Sequence, residues 1–467
     1  MRSLFIILVK NKIFDMKRFF IVLIFNYAFS FLFAESVSKE EVHRQAVAAC
    51  MRIAEDDFSM KPYTITPMLE EGDTCYYVVQ FVPEGYALIA ADDRVQPLIG
   101  YSVTDQFRLE NAPEPLFFLL KNRANQIKQV KESLCHVQRH SKWNPISLRS
   151  SSQSEKIGPL IKVAWDQAGY CSKYCPINKE GKKTRIGCVA IAMGQAMTVF
   201  QHPARPKGYK LYGTDEVGKI EVNFEEEAAY DWDKILSGAD AYDEAARFLY
   251  HCGVSVKMEF APDFSGAYIS YISDALVKHF SYSSDSIRYL QMKYVTEDGY
   301  HKGYTLENWK EFIINELKQK RAVIYFIYDL LHVINIDGYD GVNAFHYNWG
   351  WGGYSNMYYT FEEEIGNVFN TNEDEMVIGL VPDTQSATSI ESVVKSLELP
   401  IQVSGSLLRL QSPEKGICRI YNMLGVLLQT VPIVAGETEI SLKTTGICIL
   451  SVDCNGKVAS HKIQVKE

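Results

Sequence analysis

A thiol, an imidazole and a neutral amide, spread widely along this chain, are the residues whose types could together cleave an acyl bond. The thiol is Cys188, in "RIGCVAIAMGQAMTVFQHP". It follows Gly187 and opens a run, "CVAIAMGQAMTVF", with no proline and no charge. That run predicts a helix apolar on all sides and therefore buried inside a domain. The first turn of such a helix has unpaired backbone N–H groups and the positive end of the helix dipole. A thiolate there is stabilised, so the expected effect on Cys188 is a lowered pKa and a nucleophile populated near neutrality. The competing reading is a core thiol, since cysteine is among the most buried residue types.

A base has to come from elsewhere in the chain. "LHVINIDGYDGVNAFHYNWGWGG", from Leu331 to Gly353, reads as two alternating runs joined around Gly338-Tyr339-Asp340-Gly341, a β-hairpin. A turn centred between Asp340 and Gly341 sets His332 across from Trp349, and a half-residue shift sets it across from Asn348. Either register leaves an imidazole beside an amide and an indole. Asn348 is then expected to accept the second imidazole proton, with Trp349 shielding that bond from water. His346, nearer the turn on the same hairpin, ranks second as base. An acyl-transfer site also needs donors for the developing oxyanion. The backbone N–H of Cys188 is one candidate, and the side-chain amide of Gln167, in "WDQAGYCSKYCP", is the other.

These residues sit within 467 positions, a length that predicts several domains. The composition, 47% hydrophobic and 22% charged, is that of a globular chain. A net charge of −9 argues against nucleic acid as a partner. Met16-Lys17-Arg18 and the apolar "FFIVLIFNYAFSFLF" before Ala34 read as a secretory leader over 1–34, with Met16 as an alternative start. Residues 35–135 read as a small α+β domain: an amphipathic helix over 36–55, a hairpin from "CYYVVQFV" and "GYALIAADD", and a helix in "LFFLLKNRANQIKQVKESL". The basic, serine-rich stretch 136–156 reads as an exposed linker, with Lys142, Arg149 and Lys156 as candidate processing points. The block 157–382 holds the chemistry, 383–396 is a second linker, and 397–467 reads as an all-β module. Ten cysteines are scattered without a repeating framework, and the C-x3-C pair Cys171/Cys175 lacks a second ligand pair, which argues against zinc.

With these residues in view, residues 157–382 resemble the streptopain family of papain-like cysteine peptidases. "GPLIKVAWDQ", "GCVAIAMGQAM", "CGVSVKMEFAP" and "IDGYDGVNAFHYNWGWGG" match its landmarks in order. The resemblance implies a papain-like α+β fold, a central helix packed on an antiparallel sheet. It implies Cys188 as nucleophile, His332 as general base and then acid, and Gln167 as oxyanion donor. Asn348 and Trp349 would support the histidine, and Ser265, Leu331 and Trp351 would contact substrate. No metal and no cofactor are implied. The N-terminal block is similar to the inhibitory propeptide of the same family, through "YYVVQFVPEGYALIAADDRVQPLIGYS". The C-terminal module, a small β-sandwich, is similar to type IX secretion sorting domains, through "IYNMLGVLL", "GICILSV" and "KIQVKE".

The function that follows is a secreted cysteine endopeptidase made as a latent zymogen. Its partners would be protein or peptide substrates, its own propeptide and an outer-membrane secretion machinery. It would act as a monomer, exported or held at the surface of a Gram-negative bacterium. One departure stands out: the family has Gly-Gly before the histidine and Ala after it, where this chain has Leu330, Leu331 and Val333. Glycines there let a backbone approach substrate closely. That departure supports an alternative, a catalytically silent binding or inhibitory protein on the same scaffold. A cell-wall peptide hydrolase with the same Cys–His chemistry is the remaining one.

Overall fold

The structure, a computed structural model, describes residues 37–109, 114–132, 138–144, 155–237, 242–295, 301–361, 373–383, 399–422, 427–444, 446–454 and 457–465. The expected leader over 1–34, Arg149 and nearly all of the 383–396 linker lie outside the described residues. Two compact units divide the chain at residues 386/387.

In the first unit, α1 (Lys39–Cys50) starts where Ser38 accepts the N–H of Glu41 and Glu40 and Glu41 occupy the first turn. Strands β1 (Tyr63–Glu70), β2 (Asp73–Phe81), β3 (Tyr86–Ala90) and β4 (Leu98–Ser102) form an antiparallel meander, followed by α2 (Glu114–Glu132). The chemistry-bearing part begins its helices with α3 (Cys188–Thr198). It continues through the hairpin β5 (Tyr209–Thr214) and β6 (Gly218–Asn223), then α4 (Trp232–Ser237), α5 (Tyr242–Ser255) and α6 (Tyr271–Phe280). Next come β7 (Arg288–Gln291), the short pair β8 (Lys293–Val295) and β9 (His301–Gly303), and α7 (Leu306–Lys318). The site is carried on β10 (Val323–Ile327), β11 (His332–Tyr339), β12 (Ala344–Asn348), β13 (Met357–Thr360) and β14 (Glu375–Ile378).

Ten strands make one antiparallel sheet in the order β1-β2-β3-β4-β13-β12-β11-β10-β14-β7. The N-terminal α+β block expected from the sequence does not stand apart from the chemistry-bearing block. It extends the same sheet, where Tyr358 pairs with Tyr101 and Tyr359 with Gly100. Alternation along the central strands sorts two cores. Ile324, Val333 and Val377 join α3, α5 and α6 in one; Val323, Tyr325, Ile334 and Met376 join α7 and the N-terminal helices in the other.

Part of the expected linker 136–156 is also built into this unit. Trp143 is fully buried, its Nε1 donates to the Val95 carbonyl, and its own carbonyl accepts from Arg44 and Gln45. Lys142 is held with it, donating to Gln96. An apolar anchor surrounded by basic residues reads as a loop in sequence because nothing local reveals what the tryptophan packs on. Downstream, Ile157 exchanges both backbone hydrogen bonds with Tyr339, fastening the chain onto β11.

The second unit pairs a sheet β15-β16-β19 with a sheet β18-β17-β20-β21. These strands are β15 (Ile401–Ser404), β16 (Leu407–Ser412), β17 (Gly416–Asn422), β18 (Leu427–Ile433), β19 (Gly436–Ser441), β20 (Gly446–Cys454) and β21 (Lys457–Val465). Leu408, Leu410, Ile420, Leu450 and Val452 share its core, the inward positions of alternating strands.

Candidate active site

Cys188 is the first residue of α3, and all eleven residues of that helix are buried. Two glycines make this possible. Gly187 enters the helix at φ +83°, and a Cβ on it would lie 2.7 Å from the Ser265 carbonyl oxygen. Gly194 lets α5 approach: a Cβ there would lie 2.7 Å from Leu249 Cδ2. Backbone N–H groups of Val333, Val189 and Cys188 itself act to lower the thiol's pKa. Each of these favours the thiolate, as the helix-start argument expects. Burial outweighs them, and the Cys188 thiol is pushed above the ordinary cysteine range rather than below it. The sequence expectation of a lowered pKa is thus overturned in this latent arrangement, because desolvation of a sealed sulfur exceeds the gain from three N–H groups.

His332 opens β11, opposite Ile327 across a tight turn over Tyr328–Leu331. Its ring stacks on Trp349, with centroids 5.9 Å apart and planes at 19°. Nε2 lies 3.0 Å from the Trp349 carbonyl oxygen, which can only accept, so Nε2 carries the proton and Nδ1 is the basic nitrogen. Burial lowers the His332 pKa to about 4, the carbonyl bond opposing it, so the imidazole is neutral. Trp351 stands on the other side, its Nε1 3.4 Å from Nε2.

The hairpin register differs from both expected ones. Asn335 pairs with Asn348 and Ile336 with Tyr347, then a bulge shifts the pairing to Gly338 with His346. Asp340 Oδ1 accepts the N–H groups of Val342, Asn343 and Ala344, which lengthens the turn beyond the tetrapeptide assumed. Asn348 therefore lies opposite Asn335, and its Oδ1 accepts from the Gly350 N–H. The imidazole proton that Asn348 was expected to accept goes instead to the backbone of Trp349.

The remaining expected residues sort clearly. Gln167 is buried two residues after Trp165, and its carbonyl accepts from Ile186, which holds this segment beside the entry to α3. Ser265 does not line a cleft. It is 2% exposed, and its hydroxyl donates to the Arg185 carbonyl while accepting from the Ala261 N–H, bracing the approach to Gly187. His346 is drawn off by Asp337, with Nδ1 2.6 Å from Oδ1, which removes the second-ranked base. Leu331 is 63% exposed and takes φ +48°, the left-handed region, at one of the positions where the family has glycine.

Sequence reasoning missed the contacts that close this region. Asp340, fully buried, forms an ion pair with Arg52 of the N-terminal block at 2.8 Å and accepts from Tyr101 Oη at 3.2 Å. No local signal joins residues so distant in the chain. Only the Asp-Gly pair at 340–341 marked a turn.

With this geometry in place, comparison with known proteins is informative. Residues 165–359 match the Peptidase C10 family, and residues 34–127 match the Spi protease inhibitor family. Both matches are similarities of those segments of the chain. The thiol protease/hemagglutinin PrtT of Porphyromonas gingivalis is 28% identical over 339 residues, 66% of this chain and 37% of that protein. Streptopain of Streptococcus pyogenes is 24% identical over 319 residues, 61% of this chain and 73% of streptopain. The chain thus spans little more than a third of the length of the first of these relatives. Its fold is similar to a solved fragment of Prevotella intermedia prointerpain A, with a TM-score of 0.54 at 24% identity, covering 68% of this chain and 99% of that one. The segment similar to the Spi protease inhibitor family and the segment similar to the Peptidase C10 family share one sheet.

Proposed function

We propose that this protein is a cysteine endopeptidase made as a latent zymogen. The observation that carries the reading is a thiol at the start of a buried helix that is bonded to β11, the strand opened by a histidine whose Nε2 is committed to Trp349. Nδ1 of His332 takes the Cys188 proton as the sulfur attacks the scissile carbonyl carbon. The Cys188 N–H and the Gln167 amide receive the oxyanion. The C–N bond breaks, the imidazolium returns the proton to the leaving amine, and water, deprotonated by the same nitrogen, hydrolyses the thioester. Trp349 keeps the tautomer fixed throughout.

Residues 35–144 act as the inhibitor in cis, and processing falls within 145–156, between the buried Trp143 and the fastened Ile157. Of the three basic candidates, Arg149 and Lys156 fit this window and Lys142 does not. The leader over 1–34 and the C-terminal β unit serve export across an outer membrane. Asn348 shapes the turn that carries Trp349, and Leu331 and Trp351 border the substrate. The test is Cys188→Ser in the full chain. Casein hydrolysis and labelling by an epoxide thiol inhibitor should both vanish with Tm unchanged; undiminished hydrolysis refutes the reading.

One observation favours the silent-scaffold alternative, the left-handed Leu331 beside His332. A folded, processed wild-type chain that neither labels at Cys188 nor cleaves casein would establish it.

A further inference from the structure

The helix that carries the thiol and the strand that carries the histidine meet along a seam that is polar at one point. Cys188, Ala192 and Gln195 share one stripe of α3, spaced by four and three residues. On β11 the facing positions are Val333 and Asn335, next to Ile324 of β10. Val333 and Cys188 lie in the same apolar core. One layer deeper, Asn335 Nδ2 donates to the Ala192 carbonyl at 3.0 Å and to Gln195 Oε1 at 3.2 Å. Both amides are completely buried.

This arrangement is costly. Asn335 Oδ1 and Gln195 Nε2 are buried without a hydrogen-bond partner. A valine at 335 would match its apolar neighbours Ile324 and Val333 and remove one orphaned acceptor. Apolar contacts allow a helix to slide or rotate on a sheet at little cost, whereas a buried amide bonded to a particular carbonyl allows one register. The cost makes sense if the register itself matters, and the register sets where the sulfur lies relative to β11.

We propose that Asn335, with Gln195, is a positioning residue that locks α3 on β11 and thereby fixes the Cys188 sulfur relative to His332. This rests on the reading of Cys188 and His332 as the reacting pair. Asn335 touches neither substrate nor the reacting atoms; it acts through Ala192 and the helix.

The test compares wild type with Asn335→Val and, as a near-isosteric second variant, Gln195→Met, each as processed full-length protein on casein and a peptide substrate. Wild-type hydrolysis, abolished by Cys188→Ser, is checked first; its absence would mean that the peptidase reading, not this inference, has failed. The expected result for Asn335→Val is a Tm lowered by a few degrees, because Gln195 Oε1 loses its donor, with kcat lowered at least tenfold, KM unchanged, and an acid limb of kcat/KM displaced along the pH axis. Gln195→Met should lower kcat several-fold in the same pattern. Unchanged kcat and pH profile in both variants would overturn the proposal. So would activity that falls only with the folded fraction at an unshifted pH profile. If Asn335→Val does not fold, Gln195→Met decides by the same criteria.

Discussion

Two junctions in this molecule join the same sheet to different partners and are built from different materials. Where α3 meets β11 the contacts are neutral: an asparagine on a helix carbonyl and an apolar surround that takes in Cys188 and Val333. Where the N-terminal block meets β13 they are mixed. Only two strand pairs are formed, Tyr101 stacks on Tyr358 at 5.4 Å, Thr360 donates to the Leu98 carbonyl, and Gln96 donates to the Phe361 carbonyl. The one fully buried carboxylate at this junction, Asp340, is paired with Arg52. On the proposed zymogen reading, the first junction has to survive activation and the second has to come apart. Charged and polar groups regain hydration when separated, so a junction made of them can open into water. A neutral seam has no such compensation and stays closed.

The largest test of this contrast removes the charge. Arg52→Ala leaves Asp340 buried with its three N–H donors but without its counter-ion. Stripping one partner from a buried pair costs about 3 kcal/mol, or about a hundredfold in the hold of the N-terminal block. Full-length Arg52→Ala should convert to the processed form far faster than wild type, followed by gel and N-terminal sequencing; an unchanged conversion rate would mean that Arg52–Asp340 is not the clamp.

A second test compares the sulfur before and after the block departs. In the latent chain burial raises the Cys188 pKa, so iodoacetamide alkylation at this residue should climb only in the alkaline range. Once water and substrate can reach the site, desolvation weakens while the three N–H groups remain. The alkylation profile should then move to lower pH by one unit or more. Coincident profiles would place the cause of burial in the peptidase block itself.

The smallest expected effect is at Leu331. Relieving a left-handed leucine gains roughly 1 kcal/mol, and the added freedom of glycine in the unfolded chain offsets most of it. Leu331→Gly should leave Tm within a few degrees while changing KM several-fold, read from Michaelis curves on peptides that differ in side-chain size near the scissile bond.

Much of the site was legible because its signals are local. The uncharged run after Gly187 announced a buried helix and put Cys188 at its start. The alternation around Asp340-Gly341 announced the hairpin that carries His332. Register was not legible: Asp340 caps three N–H groups and a bulge follows at Asp337, and each moves the pairing by a residue or more. The direction of the thiol shift failed for a different reason. A helix start can be read from sequence, but burial depends on what packs over it.

The sequence alone determined the candidate residue types, the elements that carry them and the order of the blocks, because periodicity, glycine placement and charge act over a few residues. Tertiary structure alone decided which carbonyl takes the imidazole proton, how deeply the thiol is sealed, that the N-terminal block continues the catalytic sheet, and that Arg52 meets Asp340. Each of these is a contact between segments far apart in the chain, whose energy depends on solvent exclusion and partner geometry that exist only once the chain has folded.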